Sequence, residues 1–241
     1  MLQTTEGIIL RTINYTGSSI IAKIYTQSFG LQSYLIKGAR NKKSKVRANL
    51  LQPMTMLQLV VAHNSRNNFH TIYELQCNKP YHTLPFNVVK NSILIFINEV
   101  LYKSIKEEES NQNLFDFIQH SLQMLDLKES NYANFHLLFL LQLTRYLGFY
   151  PRGKYSAATP IFNLQEGTFV ATPPVHPYYM EPASGKYLSG LFDLNFDTLV
   201  NSVVPASARP EFLKILLMYY ELHVSGFRDV RSHTVLEEVM R

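Results

Sequence analysis

Lys37, Arg40, Lys42, Lys43, Lys45 and Arg47 crowd a stretch of chain that holds almost no apolar side chain to anchor it. Cations so placed hold phosphates. A loop of this kind meets them from several directions and releases their counterions without reading a base sequence. Arg11 and Lys23 extend the surface wherever their segments present them to solvent, and Arg228 with Arg231 forms a smaller patch near the C-terminal end. Tyr15, Tyr25, Phe29 and Tyr34 interleave with the first group. Stacking on bases is one role for such rings, and packing into a core is the commoner one. These ten cations are the candidate nucleic-acid-binding set.

Catalytic chemistry finds little support. The chain has no GxGxxG, no GxxxxGK[ST] and no HExxH, and its eight histidines are scattered without ligand spacing. Gly185-Lys186 lacks the first glycine of a phosphate-binding loop, because position 180 is Met180. Cys77 with His70 or His82 is a conceivable nucleophile pair, but Cys77 ends an apolar segment and reads as structural. Glu107-Glu108-Glu109 reads as a solvated helix end rather than a metal site. A single cysteine excludes an internal disulfide and leaves no thiolate set for structural zinc. The expectation is a non-enzymatic protein with no catalytic residue, no metal and no cofactor. A hydrolase or transferase site assembled from scattered residues stays open, since motif search is blind to it.

Charge is distributed unevenly. Residues 1–80 carry ten Lys and Arg against Glu6 and Glu74, a net of +8, while the remainder carries 13 basic and 16 acidic side chains, a net of −3. Like charges gathered on a small domain repel unless a polyanion neutralises them; a solvated basic face is the alternative. The segment MLQTTEGIILRT has neither the basic start nor the small-residue cleavage site of a signal peptide. No apolar run approaches the roughly 20 residues of a membrane helix. A cytoplasmic, nucleoid-associated protein with no membrane partner is expected.

The elements that must position these cations follow from periodicity. Residues 8–15, 20–27, 31–37, 54–62 and 69–76 are short runs rich in Ile, Val, Tyr, Thr and Leu. Thr16-Gly17-Ser18 and Ser28-Phe29-Gly30 close the first two hairpins, 38–53 is a long basic connection, and 63–68 is a polar turn. Five short strands with one long loop suit a small closed barrel of OB type, and an SH3-like barrel gives nearly the same pattern. From about residue 85 the period becomes helical. Helices are expected over 86–106, 112–126 and 137–147, the last apolar on nearly every side and therefore central. Gly148 and Pro151 end it. Residues 149–190, with six prolines and four glycines, are expected to form an irregular insertion packed by Phe162, Phe169, Tyr178 and Tyr179. Helices resume at Pro210 and, after Gly226, near Ser232 or Thr234. The predicted fold is α+β: a five-stranded OB-fold-like β-barrel over 1–80, then an all-helical domain over 81–241 interrupted by that insertion.

Gly7-Ile8-Ile9-Leu10-Arg11, Ile24-Tyr25-Thr26 with Gly30-Leu31, Lys37-Gly38-Ala39-Arg40 and Leu51-Gln52-Pro53 resemble the N-terminal domain of the RecO family, with Met54 where an aromatic is usual. The run from Phe212 to His223, followed by Arg231-Ser232 and Val235-Leu236, is similar to that family's closing helices. The resemblance implies a DNA-repair mediator that binds single- and double-stranded DNA and anneals complementary strands. It also implies partners: with a RecR-like protein, such mediators help RecA displace single-stranded DNA-binding protein. A protein-interaction adaptor, with DNA contact secondary, is the alternative. Many members carry four zinc-binding cysteines in the insertion. This chain has none there, so no zinc is expected.

Overall fold

The computed structural model describes residues 2–39, 48–62 and 69–240. The chain divides into two compact units, Met1–Pro85 with Asn98–Gln123, and Phe86–Ile97 with Met124–Arg241.

The first unit holds β1 (Leu2–Asn14), β2 (Ile20–Thr26), β3 (Gly30–Ile36), β4 (Met56–Ala62) and β5 (His70–Cys77). They close into a barrel in the order β1-β2-β3-β5-β4. Every pairing is antiparallel except β3 with β5, which run parallel where Tyr34 meets His70 and Leu35 meets Thr71. This is the OB-fold-like barrel expected from the strand pattern, closed by the short β3–β5 pairing. The alternating residues Ile20, Ala22 and Ile24 of β2, Tyr34 and Ile36 of β3, and Leu57, Leu59 and Val61 of β4 fill its interior with Ile9. Space there is tight. A Cβ at Gly7 would stand 2.7 Å from Ile24 Cγ2 and 3.0 Å from Leu59 Cδ1.

Strand β1 begins earlier than its apolar pattern predicts. Leu2-Gln3-Thr4-Thr5 shows no useful alternation, yet it pairs with β4 from Leu2↔Ala62 onward, so partner hydrogen bonds extend the strand where propensity does not.

Helices α1 (Val88–Ser104) and α2 (Gln112–Leu127) contain the unit boundaries. Within the barrel unit, residues 105–111 run close against β3. Leu31 N donates to Glu107 O at 3.0 Å, and Gln32 Nε2 donates to Glu108 O at 3.1 Å. Gly30 is required here twice over. Its φ is +64°, and a Cβ would fall 2.2 Å from Glu109 O. The Glu107–Glu109 carboxylates are solvated as expected, but their backbone carbonyls complete the barrel's turn.

In the second unit, α3 (Phe135–Tyr146) is buried along most of its length, as its sequence predicts. It is joined by α4 (Pro182–Leu191), α5 (Arg209–His223) and α6 (Ser232–Val239). The insertion corrects the expectation of an all-helical domain broken by irregular chain. It carries β6 (Ile161–Asn163), β7 (Thr168–Val170) and β8 (Tyr179–Met180) as a sheet in the order β7-β6-β8, and α4 follows at once. The strands are too short for periodicity to register. Their prolines and glycines sit in the connections, with Gly153 and Gly167 at positive φ and Pro182 at the start of α4. Rings fix the sheet to α5: Phe162 and Phe169 lie 5.0 Å apart, and Phe162 and Tyr219 5.7 Å. The Tyr219 hydroxyl donates to Phe149 O at 2.6 Å, and that of Tyr220 to Leu140 O at 2.6 Å. Burial raises both phenol pKa values.

Candidate nucleic-acid interface

A β-bulge decides where the first cation points. Along β1, Ile9 faces the barrel interior, so strict alternation would bring Arg11 inside as well. The register slips at Leu10: Ile9 pairs with Ile24, but Arg11 pairs with Lys23. Leu10 is the extra residue, and it turns Arg11 out to solvent beside Lys23, whose own neighbours Ala22 and Ile24 point inward. The opposite edge of β1 is held at the same place, with Ile9 N donating to Thr55 O at 3.1 Å and Met54 N to Ile9 O at 2.6 Å. Met54 takes the left-handed conformation, φ 66°, and its carbonyl accepts from the Tyr81 hydroxyl at 2.6 Å.

Arg11 is exposed but not loose. Its Nη1 donates to the Tyr102 hydroxyl at 2.9 Å, and the guanidinium lies 5.1 Å from that ring's centroid. Lys23 pairs onward with Ser33 of β3. The next outward row is Ile13, Ile21 and Leu35, again neighbours in register, and it ends on Thr71 of β5. Lys37 follows β3 and is exposed, while Ala39 returns to the core. Two strand cations, an aliphatic row and the start of the basic connection therefore share one side of the barrel wall.

Arg40, Lys42, Lys43, Lys45 and Arg47 lie outside the described residues. Arg228 and Arg231 are exposed, and both belong to the second unit, between α5 and α6. The structure thus pairs Arg11 with Lys23, sets Lys37 just past the end of β3 in the same unit, and places the C-terminal pair in a different unit.

The aromatic candidates separate. Tyr25 and Tyr34 are buried, and burial pushes the Tyr34 phenol up to about 12. Tyr25 packs on Phe115, ring centroids 6.1 Å apart. Phe29 packs against the barrel core. Tyr15 alone is exposed, at 46%. Sequence reasoning missed two other rings, Phe69 at 44% and Tyr73 at 61% exposure. Phe69 lies 6.3 Å from Tyr15 between ring centroids. Tyr73 is the extra residue of a second bulge, because Val60 pairs with Glu74 and Val61 with Ile72. Alternation across 69–76 is the one signal that could have found them, since Phe69 precedes the inward His70.

Other chemistry-bearing groups serve the fold. Cys77 packs against the barrel core. His70 Nε2 lies 2.8 Å from Gln32 Oε1 and its ring 5.7 Å from that of Tyr34. Glu6 accepts from Asn78 at 2.8 Å, Lys79 at 3.1 Å and Gln119 at 2.8 Å. Partial burial alone would raise its pKa, but these three donors together hold the carboxyl below its ordinary value. In the second unit, His136, Arg209, Leu213, Leu236 and Glu237 line a cavity of about 130 Å³. Burial, helped by the Arg209 charge, lowers the His136 imidazole to about 3. Among the described residues no group of three or more His, Cys, Asp or Glu is placed to hold a metal ion, and no helix is long and apolar enough to cross a membrane.

Residues 1–81 match the family described as "Recombination protein O N terminal", and residues 85–232 match "Recombination protein O C terminal". The DNA repair protein RecO of Phocaeicola vulgatus is 34% identical over 239 residues, covering 99% of each chain. That of Christiangramia forsetii is 37% identical over 240 residues, again 99% of each. That of Flavobacterium psychrophilum is 35% identical over 240 residues, 98% of each.

Proposed function

The chain belongs to the RecO family, and on that premise we propose that it acts in DNA repair as a DNA-binding, strand-annealing mediator. The observation that carries the reading is the Arg11–Lys23 pair, set side by side on the outer wall of an OB-fold-like barrel where the basic connection from Lys37 begins. Oligonucleotides bind this fold on its β2–β3 face and on the loops after β1 and before β5. The other cations of the set, Arg40, Lys42, Lys43, Lys45 and Arg47, continue the same run of sequence, and Arg228 with Arg231 supplies a second, smaller contact.

Annealing on such a surface needs no catalytic residue and no cofactor. Two strands repel because their phosphates are charged. Cations that neutralise phosphates lower that repulsion, and base pairing supplies the direction. Phosphate contacts carry no base sequence, which suits a protein that must accept any complementary pair, single- or double-stranded. Family membership supports the wider setting. In it, the protein acts with a RecR-like partner to help RecA take over DNA covered by single-stranded DNA-binding protein. The barrel of residues 1–80 is the DNA-binding domain in this reading, and residues 81–241 form the helical domain.

A salt titration tests it. Log affinity for single-stranded DNA should fall linearly with log salt, by about 0.7 for each phosphate neutralised. Exchanging Arg40, Lys42 and Lys43 for Glu should flatten that slope. A shallow slope indifferent to these changes would sink the DNA reading and favour a protein-docking adaptor.

A further inference from the structure

We infer that Tyr15, Phe69 and Tyr73, with the aliphatic row Ile13–Ile21–Leu35, form a base-contacting platform that makes the barrel prefer unpaired strands, apart from the cations that hold phosphate. The inference rests on the DNA-binding reading and adds to it a means of telling bases from backbone. An annealing protein that gripped phosphates alone would hold its duplex product as firmly as its substrates.

Exposed rings on a small barrel need an explanation. The interior takes Tyr34, and the helical residues of this unit cover Tyr25, so the fold has places to bury aromatics and uses them. Tyr15 and Phe69 instead stand in water, one just beyond the end of β1 and one just before β5. Their contact at 6.3 Å with a 41° tilt leaves ring surface open on both partners. Tyr73 is more exposed still: alternation from the inward Ile72 turns it outward, and the bulge leaves it without a partner on β4. Ile13, 42% exposed, lies two residues before Tyr15 and leads the aliphatic row across β2 and β3 towards β5.

Charge fixes which part of a strand meets which part of the wall. Arg11, Lys23 and Lys37 lie on β1, on β2 and at the end of β3, whereas Glu74 adjoins Tyr73 on β5. A carboxylate beside a ring repels phosphate and tolerates a base. The occupant is therefore a single strand with its backbone along the cations and its bases turned to the rings. A duplex cannot satisfy both, because its bases are stacked on one another.

The test compares two probes of equal length and charge on the full chain, an oligothymidine and an abasic strand. Stacking contributes about 1–3 kcal/mol per base, so the wild-type protein should hold oligothymidine roughly tenfold tighter or more. The double variant Y15L/F69L keeps apolar bulk but loses the rings. It should bind oligothymidine as it binds the abasic strand, with abasic affinity and salt slope unchanged, and Y73L should give part of the same loss. Photocrosslinking of an iodouracil strand to the wild-type protein gives a readout independent of any variant's folding, and the adducts should map to Tyr15, Phe69 or Tyr73. Equal wild-type affinities, a double variant that still discriminates, or adducts confined to other residues would overturn the platform and leave the DNA-binding reading standing. Failure to hold either strand would remove both.

Discussion

The two units treat charge differently. The barrel exports its cations: a bulge turns Arg11 outward, Lys23 and Lys37 alternate outward, and the polar side chains kept buried, among them Thr26, Gln32 and His70, are neutral or bonded to one another and to its turns. The C-terminal unit draws polar groups in. Tyr219, Tyr220 and His223 are packed around Phe149, each with its polar atom on a backbone oxygen, and His136 is held almost without solvent. A wall that exports charge is free to change partners, whereas a core that satisfies polar groups internally specifies one arrangement of an otherwise awkward insertion. Substitutions in the first region should therefore alter binding more than stability, except where a backbone contact closes the barrel. Those in the second, Arg228 and Arg231 apart, should alter stability and leave DNA binding alone.

The largest effect falls on that exception. Gly30→Ala forces a Cβ into Glu109 O at a left-handed position, and should cost about 3 kcal/mol or more, read as a fall in the denaturant midpoint. An unchanged midpoint would mean that residues 107–109 do not close the turn. Next comes Arg11→Glu with Lys23→Glu, expected to weaken single-strand binding by roughly 100-fold at moderate salt while unfolding stays within about 1 kcal/mol of wild type. Equal losses in binding and stability would erase the contrast between the units.

His136 gives the third test, and its sign is definite. Its folded pKa, about 3, lies below the ordinary value of 6.5, so only the unfolded chain takes up a proton between them. The stability is fully present above about pH 6.5 and is lost as pH falls, at up to about 1.4 kcal/mol per pH unit. His136→Leu should flatten the stability profile between pH 6.5 and 5 relative to wild type, with DNA affinity unchanged. The smallest effect belongs to Tyr219→Phe, which leaves Phe149 O without its 2.6 Å donor and should cost about 1 kcal/mol, seen as a small drop in Tm.

The barrel was largely legible in the sequence because its interior residues alternate and its turns carry Gly17 and Gly30. Helices α1, α2, α3 and α5 were legible for the matching reason, an apolar face at helical period. What was not legible lies where tertiary contact overrides local pattern. Strands β6 to β8 span two or three residues each, too few to show a period, and α4 carries Gly185 and Gly190, which read as breakers. The cations of the site could be named from composition, but their direction could not. The bulge at Leu10 is not visible as a residue type, and it is that bulge that turns Arg11 outward. Tyr25 and Tyr34 show the converse. Both interleave with the cations in sequence and end in the core.

The extra residue at Leu10 gives β1 a parity. Upstream of it, odd positions such as Gly7 and Ile9 belong to the interior; downstream, odd positions such as Arg11 and Ile13 belong to the outer wall. Losing Leu10 itself would leave Ile9 and Arg11 as ordinary alternating neighbours, but losing one residue on either side of a retained bulge would exchange the two faces beyond it, sending an aliphatic chain to water. A change of two residues would keep the parity. Length variation in β1 should therefore be tolerated in even steps, and in odd ones only where a bulge is gained or lost, as at Leu10.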